Sequence, residues 1–115
     1  MEKVVKVSNT EYQIIFYETS YTISFRMNKE IKKSLEDKYK NFSELIRKSL
    51  GHEIEYIKES DLIGLARVKG RQVVTFRLKQ SELEKLDEEA KRLKMSRSDL
   101  ILTKLWRVNA NEIQQ

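Results

Sequence analysis

The chain has 115 residues, a length that favours one compact domain with room for a hydrophobic core. Charged residues make up 36 % of it and the formal net charge is +5, which suits an anionic partner but also a soluble protein with surplus lysines. The absence of cysteine excludes disulfides and thiolate metal sites, and a single histidine, His52, nearly excludes histidine triads and multi-histidine metal centres.

The first 20 residues form a segment of their own. Residues 3–7 and 12–17 are rich in β-branched and aromatic side chains, and Ser8, Asn9 and Thr10 lie between them. This pattern predicts an N-terminal β extension, either a hairpin or an appended strand. Only two cations, Lys3 and Lys6, are present there, so we favour packing over a flexible arm that touches nucleic acid or a neighbouring subunit.

A strand is predicted next, over about residues 21–27, because polar and apolar residues alternate. Its polar face would carry Thr22, Ser24 and Arg26, and its apolar face Ile23, Phe25 and Met27. Asn28 can cap a helix that follows, and Asn41 with Glu44 resembles a capping box that begins a second helix.

The apolar stripe of the second helix passes through Gly51, which could end the helix early. Because Ile54 and Ile57 continue the helical spacing, we predict that this helix extends to about Glu59. Residues 60–70 are interpreted as a packed connector, not a free tether, because Gly64 and Gly70 punctuate a partly apolar segment.

The same order then recurs. Residues 73–78 alternate, with Val73, Thr75 and Arg77 on the polar face. Gln80 and Ser81 open a helix whose solvated side is predicted to include Glu89, and Ser96-Arg97-Ser98-Asp99 is a capping box for the last helix. Residues 109–115 are expected to fray.

This internal repeat is the strongest pattern in the sequence. Arg26 and Arg77 are 51 residues apart, whereas Asn41 and Ser96 are 55 apart, so the first copy lacks four residues near its helix–helix turn. One copy is too small to bury an adequate core, and its strand has unpaired edges. We therefore predict an intramolecular pseudo-dimer whose strands pair antiparallel near Ser24 and Thr75, with polar faces outward. The alternative is two strands that lie apart in an ordinary α+β sheet.

The repeated pattern resembles the ribbon-helix-helix family of DNA-binding proteins. The motifs that carry the resemblance are Phe76-Arg77-Leu78 and Ser96-Arg97-Ser98-Asp99 in the second copy, and Phe25-Arg26-Met27 and Ser43-Glu44 in the first. Family members usually have one unit and dimerise, so two units in one chain are a departure, similar to transcription regulators of viruses that infect hyperthermophilic archaea. A second departure is that Asn28 and Lys79 stand where the family often has proline.

The resemblance implies a mainly α-helical fold with a two-stranded antiparallel β-ribbon. Its units would be an N-terminal β extension (1–20), a first ribbon-helix-helix unit (21–59), a connector (60–70), a second unit (71–108) and a C-terminal tail (109–115). The implied function is a sequence-specific transcription regulator, such as a repressor, that inserts the ribbon in the major groove of double-stranded DNA.

The base-contacting residues would then be those on the polar faces of the strands: Thr22, Ser24, Arg26, Val73, Thr75 and Arg77. Arginine can donate two hydrogen bonds to guanine, hydroxyls suit several bases, and methyl groups suit thymine. For the two arginines, the alternative is a surface salt bridge to a helix glutamate. Because the two strands differ, the preferred site would be an imperfect palindrome.

Phosphate contacts are expected at the start of the second helix of each copy, where free backbone amides can bind anions. The candidates are Lys40, Ser43, Lys94, Arg97 and Ser98. The alternative is that these residues only cap the helices or remain solvated.

The expected partners are double-stranded DNA and further copies of the chain, which would associate into oligomers through Leu102, Trp106 and the N-terminal strands and bind DNA cooperatively. We expect no cofactor, no metal, no small-molecule substrate and no enzymatic activity. The sequence has no transmembrane run and no visible signal peptide, so we expect no membrane partner and a cytoplasmic protein, in the host cytoplasm if it is viral. The alternative function is an antitoxin-like protein-interaction module that also binds DNA.

Overall fold

The structure, a computed structural model, describes the backbone of residues 2–6 and 12–16 and both backbone and side chains of residues 19–110. Along the chain the elements are β1 (Glu2–Lys6), β2 (Tyr12–Phe16), β3 (Ser20–Met27), α1 (Lys29–Lys38), α2 (Phe42–Leu50), α3 (Glu59–Val68), β4 (Gln72–Lys79), α4 (Gln80–Arg92) and α5 (Arg97–Asn109). The described part is therefore mainly helical, with two small antiparallel sheets.

The N-terminal extension is a hairpin, one of the two forms that the sequence predicts. β1 and β2 pair antiparallel, with Glu2 opposite Phe16 and Lys6 opposite Tyr12. Whether this hairpin packs or touches nucleic acid stays a prediction. The expected fraying of the C-terminal tail falls mostly on residues 111–115, outside the described part of the chain.

β3 and β4 form a two-stranded antiparallel ribbon in the predicted register. Ser24 lies opposite Thr75, and their hydroxyl oxygens are 3.1 Å apart. The alternative, in which the strands lie apart in a larger sheet, is wrong. On the inner face the rings of Phe25 and Phe76 meet edge to face, with centroids 5.8 Å apart, which joins the two strands within the core.

Three predicted helix starts are confirmed by side-chain caps. Asn28 accepts hydrogen bonds from the first turn of α1, Asn41 from the amide of Glu44 at 3.0 Å, and Ser96 from the amide of Asp99 at 3.1 Å. Each cap satisfies amides that have no partner within the helix.

The second helix is shorter than predicted. α2 ends at Leu50 with Gly51 as its C-cap, and residues 51–58 form a loop that puts Ile54 into the core with 1 % of its surface exposed. The prediction of a helix to about Glu59 is wrong, because a loop residue buried by tertiary packing can fall by chance at helical spacing.

Two side chains of α4 hold that loop in place. The Glu89 carboxylate accepts a hydrogen bond from the Ile54 amide at 2.6 Å, and the Arg92 guanidinium donates to the carbonyls of Ile54 and Glu55. Glu89 is 8 % exposed, so its predicted position on the solvated side of its helix is wrong.

The connector contains a helix that the sequence analysis did not predict. α3 packs against α5 at Gly64, where a Cβ atom would overlap the indole of Trp106. A bidentate ion pair between Asp61 and Arg107 joins the same two helices, with 2.6 Å between the closer nitrogen and oxygen.

Because α3 covers this flank of α5, Leu102 is only 2 % exposed and Trp106 is partly buried. The expectation that these two residues form an exposed face for self-association is wrong. Within the described residues, no helix is both long enough and apolar enough to cross a membrane.

Candidate nucleic-acid interface

The outer face of the ribbon is exposed along its whole length and is polar except at Val73. Residues of a strand alternate between the two sides of a sheet. The buried side is formed by Ile23, Phe25 and Met27 of β3 and by Val74, Phe76 and Leu78 of β4, which leaves the alternate residues in solvent. All six predicted base-contacting residues lie on this face and are exposed: Thr22, Ser24, Arg26, Val73, Thr75 and Arg77.

The strand register arranges these residues in cross-strand pairs. Thr22 lies opposite Arg77 and Val73 lies opposite Arg26, on either side of the central pair of hydroxyls. Each end of the ribbon therefore presents one guanidinium, but its neighbour is a hydroxyl at the Arg77 end and an apolar side chain at the Arg26 end.

Arg26 and Arg77 make no ion pair with any residue in the described part of the chain. The alternative prediction, a salt bridge to a helix glutamate, is therefore not observed. Both guanidinium groups keep their five donors available to an incoming acceptor.

The N-terminus of α5 lies beside one end of the ribbon. Ser98, in the first turn of α5, lines the same open cleft as Ser24 and Arg26. Its neighbour Arg97 donates two hydrogen bonds to Asp87, at 2.7 and 2.8 Å, and these bonds raise the pKa of the guanidinium. Arg97 can therefore reach a phosphate only by sharing or leaving Asp87, whereas the Ser98 hydroxyl is exposed.

The start of α2, which corresponds to the start of α5, has different charged residues around it. Lys40 and Ser43 are exposed, and Lys40 lines a cleft with two further cations, Lys38 and Lys48, beside the capping residue Asn41. Lys48 is close to Glu44, with 3.5 Å between nitrogen and oxygen.

Lys94 lies in the turn between α4 and α5 and is exposed, with φ of 58°. This left-handed conformation follows the end of α4 and redirects the chain into the capping residue of α5. Its ammonium group is therefore carried on the turn that leads into the N-terminus of α5.

Three residues of this surface were missed by the sequence analysis. Ser20 and Lys79 form one further outward-facing pair at the Arg77 end of the ribbon, and extending the alternation by one step would have found them. Lys69 lines the cleft at the Arg26 end, and only the tertiary structure brings it there.

The fold and this surface define a class of protein: a helical protein with a solvent-facing, cationic β-ribbon and a helix N-terminus beside it. In comparisons with known proteins, residues 72–101 match the family model described as "Ribbon-helix-helix protein, copG family". The matched segment is about a quarter of the chain and covers β4, α4 and the first residues of α5. It supports a ribbon-helix-helix DNA-binding protein. No match was found among curated proteins or among solved structures.

Proposed function

We propose that this protein is a sequence-specific transcription regulator that binds double-stranded DNA by inserting the β3–β4 ribbon in the major groove. The observation that carries the proposal is the outer face of the ribbon, where two guanidinium groups without ion pairs flank a row of hydroxyls. A two-stranded ribbon fits the width of the major groove, and these side chains suit the base edges displayed there.

The proposed binding unit is an intramolecular pseudo-dimer. β3, α1 and α2 would form the first ribbon-helix-helix unit, and β4, α4 and α5 the second, with an approximate two-fold axis at the Ser24–Thr75 pair. The matching order of elements and caps in the two halves supports this arrangement, although the family match covers the second half alone.

The proposed operator is an imperfect palindrome. Arg26 and Arg77 would each read a guanine, at positions related by the approximate two-fold axis. Val73, half exposed beside Arg26, would contact a thymine methyl group, whereas Thr22 beside Arg77 would accept or donate a hydrogen bond. The half-sites would therefore share a base at the arginine positions and differ next to them.

Phosphate contacts at the helix N-termini would fix the register of the ribbon on the duplex. Ser43 and Ser98 would donate from the first turns of α2 and α5, and Lys40 and Lys94 would add charge. Arg97 contributes less in this proposal because Asp87 already occupies its guanidinium.

Cooperative association along DNA would need a surface other than the one first predicted. α3 exposes more than half of Leu62 and Ile63, and it now forms the outer surface over α5. Because Leu102 and Trp106 are covered, contact between neighbouring chains on DNA would use these exposed apolar residues of α3.

The test begins with selection of binding sites from random DNA and sequencing of the enriched duplexes. We expect a short, nearly symmetric motif. Arg77→Ala should weaken binding to the selected duplex by about 5- to 150-fold, the loss expected for one bidentate base contact, with a native circular dichroism spectrum.

The matched control is Lys91→Ala, which removes an exposed cation from the last turn of α4, the end of that helix remote from β4. It should lower affinity only slightly. Equal effects of the two substitutions would contradict base reading by the ribbon.

A further inference from the structure

The chain that enters β4 shapes the Arg26 end of the ribbon. Residues 69–71 connect α3 to β4 and pass the end of β3 where Arg26 lies. The amide of Asn28, just after β3, donates to the carbonyl of Val68 at 2.6 Å, which ties the C-terminus of α3 to that end of the ribbon.

Gly70 makes this close passage possible. A Cβ atom at this position would lie 2.5 Å from the backbone nitrogen and Cα of Asn28, so any other residue would push the connection away from β3. The backbone on both sides of Gly70 is thus held against the ribbon. The Cα atom of Lys69 therefore has a fixed position beside the Arg26 end.

Lys69 lines the open cleft between the Arg26 end of the ribbon and the first turn of α5. Its ammonium group lies 3.4 Å from a carboxylate oxygen of Asp99, and 53 % of its side chain is exposed. Two cations, Arg26 and Lys69, and one carboxylate, Asp99, line this cleft, so the net charge of its lining favours an anion.

In the sequence of the first copy, the position that matches Lys69 holds an acidic residue. Arg26 and Arg77 correspond at a spacing of 51 residues, and the residue 51 positions before Lys69 is Glu18. The second copy therefore has a lysine where the sequence of the first copy has a glutamate.

We infer that the cleft at the Arg26 end binds a DNA backbone phosphate through the Lys69 ammonium group, a contact that the other half of the molecule does not provide. This inference rests on the proposed function, and it adds that the chain has a preferred orientation on its operator. One half-site is held by an additional phosphate contact, so reversing the chain on an asymmetric operator would lose that contact or place it on the wrong side.

The probe for the test is the duplex recovered by selection from random DNA. Ethylation of individual phosphates, followed by separation of bound and free DNA, identifies the phosphates whose modification blocks binding. The wild-type chain should show one more sensitive phosphate in one half-site than in the other, and Lys69→Ala should lose sensitivity at that phosphate only.

The salt dependence of affinity gives a second measurement. Each phosphate contact contributes about 0.9 to the slope of log affinity against log salt, so Lys69→Ala should lower the slope by about one unit. The control is Lys91→Ala, which removes an exposed lysine from the last turn of α4 and should leave the slope and the ethylation pattern unchanged.

A double variant separates direct contact from neutralisation of Asp99. If Lys69 only offsets the negative charge of Asp99, Lys69→Ala with Asp99→Asn will bind with wild-type affinity, and the inference is overturned. If Lys69 contacts the phosphate, the double variant will remain weakened and will still lack the extra sensitive phosphate.

The failure of this inference is distinct from that of the proposed function. A wild-type chain that enriches no duplex overturns both. A second result separates the two: Arg77→Ala weakens binding, but Lys69→Ala behaves like the control Lys91→Ala. This result supports DNA binding by the ribbon and overturns the phosphate contact of Lys69.

Discussion

At the scale of single residues, the most consequential pair is Lys104 and Glu89, because both are removed from water. Lys104 is fully buried, and its ammonium group donates to Glu89 at 2.6 Å and to the carbonyl of Leu50 at 3.0 Å. Burial lowers the pKa of Lys104, and the Glu89 carboxylate opposes that shift. Removing one partner leaves the other charge buried and uncompensated.

We therefore expect Lys104→Met to lower the free energy of unfolding by about 3–5 kcal/mol, measured by urea denaturation. Lys91→Met is the matched control on the exposed side of α4 and should change stability by less than about 0.5 kcal/mol. Adding Glu89→Gln to Lys104→Met removes the stranded charge and keeps an oxygen for the Ile54 amide, so the double variant should be more stable than Lys104→Met alone. The reverse order would show that the pair is not coupled.

Asp61 gives the second prediction at this scale. Burial alone would raise the pKa of its carboxyl, but hydrogen bonds from Arg107 and from the amide of Lys58 outweigh burial and hold the pKa below its ordinary value of 3.8. A carboxyl whose pKa is lower in the folded state stabilises that state at pH values above 3.8, and this stabilisation is lost as the pH falls through the folded-state value.

The wild-type protein should therefore lose stability on acidification, and Asp61→Asn should lose less between about pH 5 and pH 2 while being less stable at pH 7. Unfolding free energies measured across that range check the prediction. Asp37→Asn, at an exposed position of α1, is the control and should keep the wild-type pH dependence. A parallel loss in wild type and Asp61→Asn would assign the acid sensitivity to other carboxyls.

At the scale of elements, α3 depends on the absence of a side chain at Gly64. Alanine normally stabilises a helix by about 1 kcal/mol relative to glycine, but here its Cβ would overlap the Trp106 indole. Gly64→Ala should therefore lower the free energy of unfolding by about 1–3 kcal/mol, the usual cost of overpacking.

The control is the same Gly64→Ala substitution in a chain that lacks the Trp106 indole. In a Trp106→Ala chain the overlap is gone, and Gly64→Ala should then stabilise the protein relative to Trp106→Ala alone. Thermal or urea unfolding of the four variants measures this change of sign. The same sign in both backgrounds would show that the helix contact does not determine the effect.

The elements that could be predicted from the sequence are those whose signals are local. Alternation identifies β3 and β4, and Asn28, Asn41 and Ser96 mark helix starts through bonds made within a few residues. α3 and the loop before it could not be predicted in this way, because long-range contacts define them. The buried residues of α3 are Asp61, Gly64, Leu65 and Val68, and the first two give no amphipathic signal unless Trp106 and Arg107 are known to lie opposite.

The residues of the candidate site likewise divide into those with a local sequence signal and those placed by long-range contacts. Alternation alone places all six predicted base-contacting residues on one exposed face. Lys69 could not be assigned, because its position beside Arg26 depends on the bond between Asn28 and Val68 and on the close approach at Gly70. A repeat comparison would have shown only that Lys69 and Glu18 differ in charge.

At the scale of the whole molecule, the central question is whether the ribbon forms within one chain. The structure pairs β3 with β4 of the same chain, so the proposed pseudo-dimer needs no second copy to complete its core. Folding would then be a unimolecular reaction, whereas a protein whose ribbon forms between two chains gains stability with protein concentration.

We expect the thermal unfolding midpoint to stay constant over about a 100-fold range of protein concentration, because mass action does not enter a unimolecular equilibrium. The control is a chain divided in the loop before α3, between residues 57 and 58, so that β3 and β4 belong to separate polypeptides. Its midpoint should rise with concentration, which shows that the assay detects association. An intact chain that behaves like the divided one would show that β3 of one copy pairs with β4 of another. The proposed DNA-binding unit would then be an exchanged dimer with two ribbons instead of a single-chain pseudo-dimer with one.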